Sequence, residues 1–440
     1  MNLLLMTLTI FVQEPPPASW HVLAPPGGGW SSEVSVAIDR ANPDRTVLAA
    51  LGSQKGSKIR ISNFSYYSQD FGKTVASTTF PNPDGRVQGD DSLAASSEGR
   101  IYHAYIAFTG LFDPTAKTNN TGVFVNSSSD GGQTWSDPVP VADHINMLMP
   151  FEDKPYLVVD RTSDRFKGCV YIAWTRFEKY GSNDPQHRSH ICFSRSSDQG
   201  TSWQPFTIIS DEPGDCQDSD NTVEGVVPSV GVNGEIFLVW AGPKGLYFDR
   251  STDGGITFGT DQVIQTMPGG WDIPLKGKKR HNGMPVTGTD ISFGPFRGSL
   301  YVNWIDERNG HTDVFCMASR DNGSSWSDPV RVNNDAGNAN QLFTWMAVDD
   351  LDGSINIVFL DQRAGEKLTT QAYLARSTDG GVTFSNLALS VPAFECSERG
   401  FFGDYNGIDA FGGRVVIGFP RIAESGVELI GYWTQFPTKP

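Results

Sequence analysis

The sequence contains little positive charge and few cysteines. Its 34 Lys and Arg residues are outnumbered by 50 Asp and Glu residues, which gives a formal net charge of −16. A protein that binds the nucleic-acid backbone presents a basic surface, so the composition excludes nucleic acid as a partner. The five cysteines include no Cys-x-x-Cys pair, which argues against a structural zinc site.

Long hydrophobic runs are also missing. The apolar run at residues 3–12 is too short to cross a bilayer, and no other segment is a transmembrane candidate. The run resembles the core of a secretory signal peptide. We therefore expect residues 1–19 to be a signal peptide or a disordered leader, and the protein to be secreted, periplasmic or on the cell surface, without membrane insertion.

What the sequence does contain is a repeated turn. The pattern Ser-x-Asp-x-Gly-x-Thr/Ser-aromatic occurs five times, and a sixth copy has Val75 in place of the aromatic residue. The aspartates recur at intervals of roughly sixty residues, which is the signature of a repeat architecture. The six aspartates are Asp70, Asp130, Asp198, Asp253, Asp321 and Asp379.

Each repeated turn has the same surroundings. Around the third copy, strand patterns occur at KPYLVVDR (154–161), CVYIAWTRF (169–177), SHICFSRS (189–196) and FTIIS (206–210). Short apolar runs bounded by Gly, Asp and Pro are typical of strands, and no long helical pattern competes with them. Four-stranded antiparallel sheets repeated around an axis make an all-β propeller.

The number of blades depends on the two ends of the chain. After the last turn, YNGIDAF, RVVIGFP and ELIGYWTQF supply three further strands, and WHVLAP (20–25) supplies one strand without a partner. Joining these four would make a seventh blade and would leave no exposed sheet edge. We therefore favour seven blades over six, in one domain covering residues 20–440.

The repeated turn resembles the Asp-box of the sialidase (neuraminidase) superfamily and other BNR-repeat proteins, and the resemblance covers roughly residues 30–436. It implies a sialidase-like propeller in which this turn joins the third and fourth strands of a blade, on the face opposite the ligand site. Each copy supplies one carboxylate, too few for a calcium loop. We expect the turn to be structural.

The loops that lead into the innermost strands are polar and are the place to look for a site. Carboxylates there suit acid–base work, cations suit an acidic sugar and aromatic rings suit stacking. The charged or aromatic residues in these loops include Asp90, Asp91, Glu152, Asp153, Glu224, Arg280, His281, Glu398, Arg399, Asp404 and Tyr405.

The resemblance also implies roles for these residues. Sialidases use a tyrosine nucleophile, with a glutamate as its base, an aspartate as the acid and three arginines for the substrate carboxylate. Tyr405, Glu224 and either Asp90 or Asp91 match the first three in position. The remaining candidates are predicted to bind substrate: Arg280, His281, Glu152, Asp153, Arg399 and Asp404.

The arginines depart from the family pattern. The Arg-Ile-Pro motif is absent, with RIS (60–62) a poor substitute, and Trp240 and Ala241 stand where the second arginine is expected. Arg308 and Arg363 occur in DERNG and DQRAG, which predicts a repeated structural salt bridge or turn. The alternative is that these arginines bind an acidic ligand.

Three functions therefore stay open. The favoured one is a sialidase-like glycoside hydrolase that acts on a terminal or acidic sugar of extracellular glycans. The first alternative is a non-catalytic propeller that binds glycans or protein at the same mouth. The second is a polysaccharide lyase on uronic-acid chains, which would rely on His281 and Arg280. We expect a carbohydrate partner and a monomer.

No cofactor or metal is expected. One alternative is calcium bound by the acidic segment DEPGDCQDSDNTVEG (211–225), because hard oxygen ligands at this density suit that ion.

Overall fold

The computed structural model describes residues 16–57, 61–110, 119–147, 149–275, 280–363, 368–397 and 402–437. These residues form seven antiparallel sheets, and the described part of the chain has a single helical turn, Pro83–Gly85. None of its helices has the length and hydrophobicity needed to cross a membrane. The predicted all-β class is confirmed.

The strands are grouped into blades, and in the first six blades the chain runs from the innermost strand outwards. The first three blades contain β2 (Gly29–Ile38), β3 (Thr46–Gln54), β4 (Ser62–Ser68) and β5 (Ala76–Thr79); β6 (Val87–Ala95), β7 (Ile101–Thr109), β8 (Asn119–Ser128) and β9 (Val139–Met147); and β10 (Phe151–Val159), β11 (Val170–Phe177), β12 (Ser189–Ser196) and β13 (Thr207–Ile208).

The next three blades follow the same order. They contain β14 (Glu224–Val230), β15 (Ile236–Gly242), β16 (Gly245–Ser251) and β17 (Gln262–Gln265); β18 (Val286–Thr289), β19 (Leu300–Asp306), β20 (Asp313–Ser319) and β21 (Val330–Arg331); and β22 (Gln341–Val348), β23 (Ile355–Asp361), β24 (Thr369–Ser377) and β25 (Ser385–Ala388), with β26 (Phe394–Glu395) also paired to β24.

The seventh blade is built from both ends of the chain. It contains β27 (Gly407–Phe411), β28 (Arg414–Ala423), β29 (Gly426–Gln435) and, on its outer edge, β1 (Ala18–Leu23). The register of β1 on β29 runs from Ala18 opposite Thr434 to Leu23 opposite Leu429. The predicted closure is confirmed, and the last two residues of the predicted leader, 18 and 19, belong to this blade.

The hydrophobic core lies between neighbouring blades. The second strands β11, β15 and β19 place Trp174, Trp240 and Trp304 at equivalent buried positions. Phe248 of the fourth blade packs in one cluster with Tyr301 of the fifth. Each blade therefore buries both of its faces against its neighbours.

The repeated turn joins the third strand of a blade to the fourth, as expected. In the second blade, Asp130 Oδ1 accepts hydrogen bonds from the Ser128 hydroxyl (2.8 Å) and the Thr134 amide (3.0 Å), and Oδ2 accepts one from the Thr134 hydroxyl (2.6 Å). The Trp135 ring lies 4.7 Å from that of Phe80. The carboxylate thus satisfies the turn's own polar groups.

The repeated turns and the loops that enter the innermost strands lie at opposite ends of the channel. Because each blade is antiparallel, the turn after the third strand lies at the opposite end from the start of the innermost strand. We call the end at which the innermost strands begin the upper mouth, and it contains the predicted site loops.

An ion-pair network spans the lower part of the channel. Asp350, which follows β22, accepts hydrogen bonds from Arg40 of the first blade (2.9 Å) and Arg161 of the third (2.8 Å), while Arg40 also binds Asp409 (2.6 Å). The predicted salt bridges of Arg308 with Asp306 (2.6 Å) and Arg363 with Asp361 (2.8 Å) are confirmed.

Candidate active site at the upper mouth

A bulge near the start of several innermost strands shapes the upper mouth. The pairing of β2, β6, β10 and β22 with their neighbours shifts register where Glu33, Asp90, Lys154 and Phe343 occur. These four residues have φ between 47° and 52°, in the left-handed region. A bulge breaks the strict alternation of side chains between the two faces of a sheet, so it can turn a side chain away from the face that regular alternation would give it.

Three of these bulges, at Glu33, Asp90 and Lys154, line a cavity of about 490 Å³. Its lining includes the apolar residues Trp30, Leu51, Ile106, Phe108 and Phe151. It also includes the charged residues Glu33, Asp90, Asp153, Lys154, Arg280 and Asp404. An apolar lining with a few polar groups is the usual make-up of a small-molecule site.

Lys154 occupies the centre of the charged side. Its side chain is 2% exposed, and Nζ lies 2.9 Å from Asp153, 3.4 Å from Glu224 and 3.5 Å from Asp404. Burial alone would lower the pKa of Lys154, but the surrounding carboxylates outweigh burial and raise the pKa well above its ordinary value. The ammonium group therefore stays charged and is fully paired.

Arg280 also forms ion pairs with carboxylates. Its guanidinium donates to Asp404 and, through both terminal nitrogens, to Asp218 (2.9 and 3.3 Å), which also accepts the Tyr180 hydroxyl (2.7 Å). Burial alone would raise the pKa of Asp218, but the charges of Lys154 and Arg280 hold it below the usual range. This network holds Arg280, Tyr180 and Asp404 in place in the lining of the cavity.

Asp90 and Glu33 have no such cation. Among the described residues, no side-chain nitrogen of Lys, Arg or His lies within 4 Å of either carboxylate. Burial, and then the charge of Asp153, raises the pKa of Asp90 well above its usual value; burial, and then Asp404, raises the pKa of Glu33 to about 8. Burial thus favours the protonated form of both carboxyl groups.

Two predicted site residues face the blade interiors instead. Asp91 is fully buried and lies 2.5 Å from His103, whose ring stacks on Phe80. Glu152 is fully buried and accepts a hydrogen bond from the Trp174 indole (2.6 Å). Their chain neighbours, Asp90 and Asp153, line the cavity. Asp153 does so because consecutive strand residues point to opposite faces of the sheet, and Asp90 does so because of the bulge at that residue.

Tyr405 lies close to the charged groups, but it is not among the described residues that line the cavity. Its ring is 2% exposed and contacts Tyr156 (5.8 Å) and Trp345 (5.5 Å) between ring centres. Its hydroxyl makes no hydrogen bond with the described residues, and burial, followed by the effect of Tyr156 and the carboxylates, raises its pKa well above 10.

Glu224 is buried at the start of β14 and is held by Lys154 through Oε2. Burial raises its pKa well above the usual value, and its Oε1 accepts no hydrogen bond within the described residues. A protonated Glu224 can instead donate to Asp218, which helps to keep the pKa of that neighbour low. The structure thus brings Glu224 to the site but not into hydrogen-bond contact with Tyr405.

The remaining predicted residues differ in where they lie. His281 is buried, with its ring 5.2 Å from that of Phe343. Glu398 and Arg399 lie outside the described residues, as does Arg60. Sequence reasoning missed Glu33, Lys154 and Asp218 as parts of the site, since none of them stands in a motif that marks it.

The acids of the 211–225 segment are held by local contacts. Asp215 accepts the Thr222 hydroxyl (2.9 Å), Asp220 accepts the Asp272 amide (3.0 Å) and Asp218 binds Arg280. Within the described ranges, no group of three or more His, Cys, Asp or Glu side chains is arranged to hold a metal ion.

Comparisons with known proteins concern the fold alone. No family model and no curated protein matches the sequence. A Dyadobacter fermentans protein of unknown function is 13% identical, with a TM-score of 0.51 over 96% of this chain and 100% of that one. The solved structural neighbours also include sialidases. The chain is a seven-bladed β-propeller.

Two of these sialidases show how distant the likeness is. A Hadza microbial sialidase is 15% identical, with a TM-score of 0.47, over 92% of this chain and 66% of that one. A Trypanosoma rangeli sialidase is 12% identical, with a TM-score of 0.44, over 95% of this chain and 60% of that one. Because a fold does not determine function, only the propeller's own residues bear on its activity.

Proposed function

We propose that this chain is a glycoside hydrolase of the sialidase type that binds the terminal sugar of a glycan in the upper-mouth cavity and hydrolyses its glycosidic bond. The observation that carries the proposal is the cavity itself, which is lined by apolar side chains together with Asp90 and Asp153. Sugar rings stack on apolar surfaces, and glycoside hydrolysis relies on carboxyl groups beside the bond that breaks.

Asp90 is the proposed general acid. Proton donation to the leaving oxygen requires a carboxyl group that is still protonated near neutral pH. The raised pKa of Asp90, caused by burial and then by Asp153, supplies that condition. Asp90 would regain its proton from the water that hydrolyses the glycosyl-enzyme intermediate. Asp153, which shares a hydrogen bond with Asp90, is the proposed neighbour that keeps the pKa of Asp90 raised.

Tyr405 and Glu224 are the proposed nucleophile and base. Tyr405 is close enough to Asp90 and Glu33 for their charges to contribute to its raised pKa. The proposal requires the reacting carbon to reach a position between the acid and the tyrosine. Glu224 forms an ion pair with Lys154, so the proposal requires Glu224 and Tyr405 to come into contact when substrate binds. The Tyr405 hydroxyl has no hydrogen-bond partner among the described residues and is available for that contact.

A non-catalytic glycan-binding propeller is the second candidate. The observation that favours it is the absence of any hydrogen bond between Tyr405 and Glu224 within the described residues. A lyase on uronic acids has less support, because Arg280, the cation it would need, is already bound by Asp218 and Asp404.

Turnover on a panel of fluorogenic glycosides separates these functions. The panel contains an α-sialoside and neutral and amino hexosides, and uronic-acid polysaccharides are followed by absorbance of an unsaturated product. We expect fluorophore release that falls at least about a hundredfold in Asp90→Asn and in Tyr405→Phe, and that is unchanged in the exposed control Glu424→Gln.

Other results select another function. Binding without turnover would favour the glycan-binding alternative, and an unsaturated product would favour the lyase. A Tyr405→Phe variant as active as the unmodified protein would overturn the tyrosine as nucleophile.

We also propose that the protein is exported, acts on extracellular glycans and works as a monomer. The support for export is the apolar run at residues 3–12, which lies outside the described residues. Cell fractionation with an antibody and the mass measured by light scattering test these two points. Protein found only inside the cell, or a stable dimer, would contradict them.

A further inference from the structure

The innermost strand of the second blade is irregular where it meets the cavity. The pairing of β6 with β7 shifts between Gly89 and Ser92, so Asp90 and Asp91 together lie opposite the single residue Tyr105. Asp90 has a φ of 52°, a conformation that is costly for a residue with a side chain and that persists only where its surroundings hold it. The bulge therefore depends on contacts made by the residues beside it.

Asp91, which follows the bulged residue, is joined to the second strand of the same blade. Its Oδ1 atom lies 2.5 Å from Nε2 of His103, and neither side chain is exposed. The other polar atoms of the two side chains, Oδ2 and Nδ1, have no hydrogen-bond partner among the described residues. Loss of this bond would leave two buried polar groups without a partner, which is costly.

The imidazole ring of His103 is held in place by aromatic neighbours. It stacks on Phe80, with 3.7 Å between ring centres, and on Tyr105, with 4.9 Å. Trp135 of the repeated turn meets it edge-on at 5.9 Å. His103 is therefore a fixed point to which Asp91 is attached.

Burial favours the neutral form of both partners. It lowers the pKa of His103 well below its ordinary value, and burial, followed by the charge of Glu33, raises the pKa of Asp91 well above its own. In a neutral pair, the hydroxyl of the Asp91 carboxyl group donates to Nε2. An asparagine amide at this position can make the same donation, whereas an apolar side chain cannot.

Packing alone does not require an acid beside such a bulge. In the first blade, the bulged residue Glu33 is followed by Val34, an apolar side chain that is fully buried. In the sixth blade, Phe343 is followed by the neutral Thr344. The buried acid of the second blade therefore has a role besides filling space.

We infer that Asp91 and His103 are positioning residues, whose buried hydrogen bond fixes the bulge that holds the carboxyl group of Asp90 in the lining of the cavity. Asp90 is thereby kept beside Asp153, with which it shares a hydrogen bond, and beside the Lys154 amide, which donates to it (3.2 Å). This inference rests on the proposed function, because Asp90 is the proposed general acid.

Kinetics of three variants test the inference on a glycoside that the protein hydrolyses. Asp91→Val and His103→Phe both remove the hydrogen bond, and the second keeps a ring for stacking. In both we expect kcat to fall at least about tenfold while KM changes less than about twofold. The pH above which turnover falls should move to lower values, because a displaced Asp90 is less buried. Asp91→Asn should keep kcat within about threefold of the unmodified protein, because its amide can still donate to His103.

Trp433→Phe is the matched control. It removes a buried hydrogen bond from the indole to the Thr46 hydroxyl (2.9 Å), and Trp433 is not among the described residues that line the cavity. This variant should lower the urea midpoint but leave the pH profile unchanged. A pH profile that also stays unchanged in Asp91→Val and His103→Phe, or an Asp91→Asn variant as impaired as Asp91→Val, would overturn the inference.

A crystal structure of Asp91→Val separates this inference from the proposed function. We expect Asp90 to lose its left-handed conformation or its carboxyl group to leave the lining of the cavity. If Asp90 stays in place, the inference is wrong whether or not a sugar is hydrolysed. If Asp90 is displaced in a protein that hydrolyses no glycoside, the hydrolase is wrong and the positioning of Asp90 stands. His103→Phe supplies the same structural readout if Asp91→Val does not fold.

Discussion

The ammonium group of Lys154 forms ion pairs that link three blades of the molecule. It belongs to the third blade and binds Glu224 of the fourth and Asp404, which precedes the seventh. Each of these carboxylates has at most 5% of its side chain exposed. Removing one partner of a buried ion pair leaves the other charge uncompensated, and this costs far more than the intact pair contributes.

Replacement of Lys154 by Met is therefore expected to lower the free energy of unfolding by about 3 kcal/mol at pH 8. The loss should be smaller at pH 5, because the freed carboxylates then take up protons. Urea unfolding at the two pH values measures the difference. Lys244→Met, which removes an exposed ion pair with Glu212, is the matched control and should leave the midpoint unchanged. Equal losses at pH 5 and pH 8 would argue against this charge network.

Glu33 makes the stability of the fold depend on pH. Its pKa rises from an ordinary 4.5 to about 8 in the folded protein, through burial and then the nearby Asp404, so folding takes up a proton between these values. Stability contributed by this group is full below pH 4.5 and is lost as pH rises towards 8. Lys154, Arg280 and Asp153 also face the group.

The variant Glu33→Gln should remove that part of the pH dependence. Between pH 5 and 8 the unmodified protein is expected to lose about 1 kcal/mol per pH unit relative to the variant. Parallel urea titrations across this range measure the difference. Glu424→Gln, at an exposed position, is the control. If the stability difference between Glu33→Gln and the unmodified protein does not change with pH, the raised pKa of Glu33 is wrong.

For individual residues, the sequence predicted which loops carry the site but not which side chains face it. Asp90 and Asp91 are adjacent acids in one loop, and only the bulge at Asp90 decides that Asp90 lines the cavity while Asp91 meets His103. A bulge depends on how two strands pair, and a local pattern does not record that pairing.

The repeated turn is the element that organises each blade. Its aspartate binds groups within the same turn, and hydrogen bonds hold the pKa of Asp198, Asp253 and Asp321 at about 2, with burial opposing them. Asp198, for example, accepts bonds from Ser196 (2.7 Å) and Ser202 (2.6 Å). The turn is thus locally determined, which is why its copies could be recognised from sequence alone.

Asp130→Ala tests this structural role. Loss of the bonds to Ser128 and Thr134 should lower the free energy of unfolding by about 1 kcal/mol, without any change in sugar binding. Thermal or urea unfolding and a binding titration provide the two readouts. Asp137→Ala, an exposed aspartate just outside the same turn, is the control. A folded Asp130→Ala protein that no longer binds sugar would place this carboxylate in the site after all.

Among the elements, the longer strands were predictable and the shortest were not. The runs that became β10, β11 and β12 are apolar and bounded by turn residues. β26 has two residues and exists through its pairing with β24, so it has no pattern of its own.

The seventh blade closes the whole molecule. β1 covers the edge of β29, and His21 Nε2 lies 2.7 Å from the Gly72 carbonyl oxygen, which ties the closing strand to the first blade. Uncovering the edge of β29 would expose unpaired backbone groups that invite aggregation.

A chain that begins at residue 24 should therefore be less stable than one that begins at residue 16. The loss of six paired residues, with the apolar contacts of Trp20 and Leu23, is expected to cost about 3 kcal/mol or more. Urea unfolding and light scattering after heating compare the two proteins. Identical midpoints and identical aggregation would show that β1 contributes nothing to closure.

For the molecule as a whole, closure was predictable because the strand patterns at the two ends are each incomplete. The site was less so, because it combines Glu33, Asp90, Lys154 and Asp404 from distant parts of the chain. Lys154 stands in a strand pattern, where nothing in the neighbouring residues marks it as the centre of a charge network.

A crystal structure of the protein with a bound methyl glycoside would show whether the upper-mouth cavity is the sugar site. We predict a sugar ring in this cavity, packed on Trp30 or Phe108 with its polar edge towards Glu33 and Asp90. A sugar bound at the opposite end of the channel or on the outer edge of a blade, with the upper-mouth cavity empty, would contradict this assignment.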